Sequence, residues 1–323
     1  MKERNISIDI LKCLAAILIT NSHMELLYGK YNFLATGGAI GDVLFFFCSG
    51  FTLFLKPMAG VKYFPDWYKR RINRIYPTIF AVAIMGCIFF NSHRDIIDLI
   101  INGGGWFVTC IMLHYIGIYF IGSYSKNKIT LITIVVSILT FAWFSFEYNS
   151  SNFNIYGDTA IKWLLYFNFV LLGAKLGTIT KVTKSRTLSD AILLISSIIF
   201  FYALYILGMK KSNFTFAQYF SFIPLLSTVY YFYKIGSSDF AKIIYNSKVG
   251  NFLIRFIGGL CLEIYLVQYH FINDKMNNIF PLNIFITFLI IIIVAYLVRC
   301  VSRFISQTFK DSPYEWKKIV ELY

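Results

Sequence analysis

Charge is what this chain has least of. Asp, Glu, Lys and Arg together make up 14% of its 323 residues, against roughly 25% in a soluble domain. That scarcity excludes an ordinary water-soluble globule, although the length would suit two such domains. Histidine is held to four copies and proline to six. The prolines fall mostly in connections, with Pro224 the exception. Paired Gly/Pro interruptions in corresponding places of the two halves, the mark of transporters with broken helices, are missing, and no internal repeat is visible. No CxxC pair occurs. Cys13, Cys48, Cys87, Cys110, Cys261 and Cys300 all lie within or beside apolar runs, as small buried hydrophobes rather than disulfide partners or metal ligands. Gly-x-Ser-x-Gly, His-Glu-x-x-His and phosphate-loop motifs are absent, which leaves serine-hydrolase, zinc-protease and NTPase readings unsupported. A cleavable signal peptide is not expected either, because Lys12 interrupts the first apolar core and no small-residue cleavage site follows.

What is there is hydrocarbon. Hydrophobic side chains account for 58% of the chain, and mean hydropathy is +0.64. A bilayer core of ~30 Å needs about 20 apolar residues per helix. On that measure the sequence predicts an all-α, polytopic transmembrane helix bundle, one domain over 1–323. Ten spans are expected, near 8–27, 39–55, 76–92, 106–122, 129–146, 160–177, 189–208, 216–234, 252–272 and 283–305, with a short tail from about 306. Between 92 and 105, apolar Ile96, Ile97, Leu99 and Ile100 mix with charge before Gly103-Gly104-Gly105, which reads as an interfacial helix and a turn.

The net charge of +14 is spread in short clusters between apolar runs, which is how topology determinants lie and not how nucleic acid is bound. About 23 bases fall in one set of alternate connections and termini. They are Lys2 and Arg4, the 56–74 group, Lys126 and Lys128, the 175–186 and 234–255 groups, and Arg299 to Lys318. Six fall in the other set: Lys30, Arg94, Lys162, Lys210, Lys211 and Lys275. The positive-inside rule then places both termini in the cytoplasm of a multi-pass cell-membrane protein.

Within the first span stand Lys12 and His23, ionisable groups where charge is costly and functional by default. Their eleven-residue spacing is about three helical turns, so both project from nearly one face, roughly 16 Å apart. Lys12 lies in the inner third and His23 in the outer third; Glu25 shares that depth but points elsewhere. The plainer alternative has Lys12 snorkelling to the cytoplasmic interface and His23 hydrogen-bonding at the outer one.

Further on, Gly41-Asp42-Val43 leads into Phe45-Phe46-Phe47-Cys48-Ser49-Gly50-Phe51, where a small pair lets helices approach. Then comes Trp67-Tyr68-Lys69-Arg70-Arg71-Ile72-Asn73-Arg74-Ile75-Tyr76-Pro77. Arg71 and Arg74, three apart, can present two planar forks to phosphate if helical; a topology-setting basic cluster is the alternative.

Asp9 and Lys12, His23 eleven residues after the base, an aromatic run ending in Ser-Gly-Phe, and Arg-x-x-Arg-Ile-Tyr-Pro together resemble the acyltransferase-3 family of integral-membrane acyltransferases. Trp106-Phe107 and Glu263-Ile264-Tyr265-Leu266-Val267-Gln268-Tyr269-His270 resemble later family features. Lys12 stands where Arg is commoner, a point charge in place of a fork. Members mostly move acetyl groups from cytoplasmic acetyl-CoA to extracytoplasmic sugars of surface polysaccharides. The resemblance therefore implies an O-acetyltransferase with acetyl-CoA as cosubstrate, a glycan acceptor and no metal. It implies that His23 is catalytic, taking a hydroxyl proton or briefly carrying the acyl group. Lys12 would line the path, with Asp9 a partner for Lys12 or for the arginines. Arg71 and Arg74, with Arg70 beside them, would hold the CoA phosphates. Asp9, Asp42, Ser49, Trp106, Glu263 and His270 are candidates for touching substrate or supporting the residues that do; His270 would be a second polar wall of the acceptor site, with a bland interfacial role competing, and His93 and His114 read as structural. The rival classes are a transporter or flippase using Lys12 and His23 as a relay, and a non-catalytic scaffold of an export assembly.

Overall fold

The computed structural model describes residues 5–54, 63–148, 153–157, 159–179, 185–210, 212–309 and 312–322. Among the bases used for the topology reading, Lys2, Arg4, Lys56, Lys62, Lys181, Lys184, Lys211 and Lys310 lie outside the described residues. Most of the described residues are helical, and among them there is no strand. In chain order the α-helices are α1 Ile6–Ser22, α2 Glu25–Tyr28, α3 Gly38–Phe54, α4 Phe64–Phe90, α5 Ile96–Asn102, α6 Gly105–Tyr124, α7 Ile129–Glu147 and α8 Ile161–Thr178. They continue as α9 Thr187–Lys210, α10 Ala217–Phe220, α11 Phe222–Gly236, α12 Asp239–Asn246, α13 Lys248–Gly259, α14 Cys261–Val267, α15 Leu282–Thr308 and α16 Trp316–Ile319.

Among the described residues five helices are long and apolar enough to cross a membrane: Phe64–Phe90, Gly105–Tyr124, Lys126–Glu147, Thr187–Lys210 and Leu282–Thr308. The number rises to seven if each of two bent pairs is one span. These are Ile6–Ser22 with Glu25–Leu34, bent by 63°, and Lys248–Gly259 with Cys261–His270, bent by 58°. The remaining three expected segments are helical too, as α3, α8 and the broken α10–α11 pair, but shorter or less apolar. Apolar runs show where helices form; they do not show where those helices bend.

Helix α4 begins well before the apolar stretch starts. Its 27 residues at 1.5 Å each give ~40 Å, longer than a hydrocarbon core. Pro65 in its first turn marks that start, since proline suits a position whose N–H needs no partner. The basic run 69–74 is thus a helical extension of a span and not a loop. At the other end α15 runs on to Thr308, and in the short segment that follows α16 has Ile319 buried.

Contacts cluster into two units. The first comprises Met1–Lys12, Asp42–Ala59 and Gly117–Phe252. Here α3 and α8 meet at glycines. A Cβ on Gly50 would collide with the Val170 carbonyl, and one on Gly173 with the Phe47 carbonyl, so only hydrogen permits this approach. Small Ser-Gly thus works as packing. Polar residues tie the other helices. Ser137 donates to Asn168 at 2.8 Å, and Ser197 in α9 to Ser227 in α11 at 2.9 Å. Lys234 pairs with the buried Asp190 at 2.8 Å.

The second unit comprises Cys13–Gly41, Gly60–Ile116 and Leu253–Tyr323. Thr78 of α4 and Ser302 of α15 share a hydrogen bond of 3.0 Å. The chain after α1 is held by amides. Asn21 donates to the Leu34 and Thr36 carbonyls, both at 2.9 Å, Asn277 to Leu26 at 2.8 Å and Asn283 to Leu27 at 2.9 Å.

Candidate active site

His23 stands at the break between α1 and α2, half-buried, with its backbone N–H on the Thr20 carbonyl. Across from it is the 3-10 turn Gln268–His270 that ends the second bent pair. The Tyr269 hydroxyl and His23 Nε2 are 3.1 Å apart, and the two rings meet edge to face at 4.9 Å. With its proton on Nδ1, the imidazole accepts from the phenol at Nε2; with its proton on Nε2, it donates to the phenol oxygen and leaves Nδ1 as the basic nitrogen. Below this pair, Gln268 is fully buried and neither amide atom finds a hydrogen bond. Thr20, one turn before His23, also has a buried, unpartnered hydroxyl. Both are sites for water or a polar substrate group, since a buried polar atom without a partner costs about 1–3 kcal/mol.

Tyr269 is also a wall of a cavity of about 630 Å³ inside the second unit. Helix α4 supplies one side through Ile79, Val82, Gly86 and Ile88; Gly103-Gly104-Gly105 and Trp106 supply another; Tyr265, Leu266 and His270 close a third. The glycine turn has a local reason. Gly105 sits at φ +65°, and a Cβ there would come within 3.2 Å of the Tyr265 hydroxyl, so a side chain would be strained and crowded at the cavity wall. His270 stacks on Phe90 with centroids 4.7 Å apart, and Arg94, another lining residue, bears on it electrostatically. The short helix α5 before the glycines exposes Ile96 and Ile97, each 72% accessible; a helix was expected at this place.

At the start of α4 the arginines differ in setting. Arg70 and Arg74 are exposed. Arg71 is half-buried, its guanidinium 5.0 Å from the Trp67 ring centroid and 5.9 Å from that of Tyr115. Stacking of this kind fixes a planar fork. Its Nε is buried and finds no hydrogen-bond partner.

Of the expected site residues, the second unit contains His23, Arg70, Arg71, Arg74, Trp106, Glu263 and His270, and the first contains Asp9, Lys12, Asp42 and Ser49. Trp106 and His270 line the cavity. Glu263 is not among the lining residues; it accepts from Arg299 Nη2 at 2.9 Å and from Nε at 3.3 Å. Arg299 also donates to the Gly259 carbonyl at the end of α13, supplying positive charge to a helix C-terminus. In the first unit, Asp9 is buried and accepts from the Tyr245 hydroxyl at 2.8 Å. Lys12 is half-buried, and both it and Asp9 act electrostatically on Cys48. Asp42 accepts from Tyr166 at 3.4 Å, with Lys162 among the charges that act on it. Lys162 was counted as a loop base, yet it is 4% exposed. His114 is buried against Cys110 at 3.5 Å and His93 is exposed beside Asn91 at 3.1 Å. Among the described residues no cluster of three or more His, Cys, Asp or Glu is placed to hold a metal.

Tyr269, Gln268 and Arg94 were not singled out by the sequence reading. Tyr269 was legible only as one member of an aromatic string; its meaning lies in the return of the chain to His23, 246 residues away.

A family model described as an acyltransferase domain matches residues 5–300. Nothing among curated proteins or solved structures matches the chain.

Proposed function

Because the chain belongs to the acyltransferase-3 family, and is therefore a membrane acyltransferase in broad class, we propose that it moves an acetyl group from cytoplasmic acetyl-CoA to a hydroxyl of an extracytoplasmic glycan. The observation that carries this reading is the His23–Tyr269 hydrogen bond of 3.1 Å at the wall of the cavity. In transfer the acceptor oxygen forms the new acyl bond as the thioester C–S bond breaks. His23 takes the hydroxyl proton and passes it to the departing sulfur, so that CoA leaves as its thiol. A general base placed this way supplies typically ~10²–10⁴-fold in rate. Arg71, held on its aromatic faces with Nε unpartnered, and the exposed Arg70 and Arg74 offer charge-assisted bonds to the CoA phosphates. Lys12, with Asp9, belongs to the donor path, and the chain crosses the cell membrane ten times with both termini inside.

The bent helix pairs favour one rival, a transporter with a Lys12 and His23 relay, since discontinuous helices build such sites. One assay separates them. Purified protein given acetyl-labelled CoA and a glycan extract is expected to release CoA and label the glycan, and His23→Ala is expected to abolish both. A preparation that binds and moves solute without releasing CoA would sink the enzyme reading.

A further inference from the structure

The cavity beside Tyr269 is built for more than a sugar. Its floor is aliphatic, with Ile79, Val82, Leu99 and Leu266. Two further wall residues, Ile84 and Ile88, are 47% and 67% exposed on α4. In a membrane span such residues face lipid, so the cavity has a side that opens to hydrocarbon. Arg94, Ser92, Asn102, Tyr269 and His270 also line it, with Ser92 and His270 beside Gly86 of α4. A free glycan has no use for an aliphatic floor open to the bilayer, and a simple hydrocarbon has no use for Arg94. Arg94 is itself exposed, on the connection after α4, where its guanidinium can offer charge-assisted bonds to an anion.

We propose that this cavity binds a chain-bearing amphiphile with an anionic head, its hydrocarbon entering between Ile84 and Ile88 and its head resting on Arg94 and His270. The head then lies on the cavity side of the His23–Tyr269 pair, so the acceptor is a membrane-borne molecule. This last step rests on the acyltransferase reading; the binding site does not.

Trp106 lies in the wall and reports occupancy. The probe is dodecyl phosphate with vicinal bromines on its chain, added to the full-length protein in dodecyl maltoside. Bromine quenches indole at contact, and subtracting the Trp106→Phe variant removes the other four tryptophans. Saturable quenching of the Trp106 component is expected, competed by plain dodecyl phosphate and not by inorganic phosphate. Arg94→Gln should weaken it about tenfold or more, the usual loss for a charge-assisted contact. Gly86→Leu should abolish it, because a Cβ there meets only Ser92 and His270 at 3.6–3.9 Å, leaving the larger side chain to fill the cavity. His23→Ala should bind the probe as the wild type does. Absence of saturable Trp106 quenching in the wild type overturns the proposal. So does quenching indifferent to both Arg94→Gln and Gly86→Leu, or quenching displaced by inorganic phosphate alone. Probe binding without acyl transfer to any acceptor leaves this site standing and removes the enzyme reading. Full transfer by Gly86→Leu to a water-soluble glycan does the reverse.

Discussion

Replacing Glu263 with glutamine distinguishes a structural ion pair from a substrate contact. Glu263 and Arg299 are 8% and 13% exposed in their side chains and meet through two hydrogen bonds. Taking the charge from one partner strands the other, and breaking a buried pair in this way costs ~3–5 kcal/mol. Arg299 keeps the Gly259 carbonyl and some solvent, so the lower end applies. Glu263→Gln and Arg299→Met should each destabilise by about 3 kcal/mol, roughly a hundredfold in the unfolding constant. The double change Glu263→Met with Arg299→Met should recover to within about 1 kcal/mol of the wild type, because neither charge is then left buried alone. Unfolding in dodecyl maltoside micelles titrated with sodium dodecyl sulfate measures all three, with transfer rate per folded molecule measured alongside. Additive losses in the double variant would refute the pairing argument. A Glu263→Gln protein of wild-type stability and no activity would put the carboxylate in the chemistry.

Tyr269→Phe removes one hydrogen bond to His23, worth ~1 kcal/mol. A drop of about five- to tenfold in kcat is expected with CoA affinity unchanged; a wild-type kcat would show the phenol to be a bystander. Arg74→Ala should weaken acetyl-CoA binding by ~1.5–3 kcal/mol without loss of fold, as expected for a charge-assisted bond from an exposed residue. Arg71→Lys should lose as much through its stacked fork, and unchanged calorimetric affinity in the double variant would reduce the cluster to a topology signal. Reporters fused after Lys62 and after Tyr323 should both mark the cytoplasm and one after Asn152 the outside, since bases gather in alternate connections; an external result after Lys62 would put the arginines out of reach of CoA.

How far the sequence revealed this differs from residue to residue. Apolar runs of about 20 residues require helices, and helices are found in all ten places. The two bends were not read as breaks: His23 was taken as a polar residue within one span, and Gly258 and Gly259 only blurred the start of another; at the second bend Arg299, far away in sequence, meets the Gly259 carbonyl. Family motifs pointed to His23 through its own neighbourhood, whereas Tyr269 gains meaning only from a contact across the fold. Charge counting placed Lys162 in a loop because a lone cation at a span end reads as a topology mark; burial beside α3 gives it another surrounding. Glu263 sits in a string that resembles a family feature, and nothing in that string announces its pairing with Arg299.

The asparagines that hold residues 25–36 have a consequence for timing. Four side-chain amide bonds to carbonyls, from Asn21, Asn277 and Asn283, at ~1 kcal/mol each, hold this stretch beside the buried Leu27, so it opens locally more readily than the long spans. Amide deuterium uptake there should outrun that of α4 by orders of magnitude while the rest of the protein stays folded.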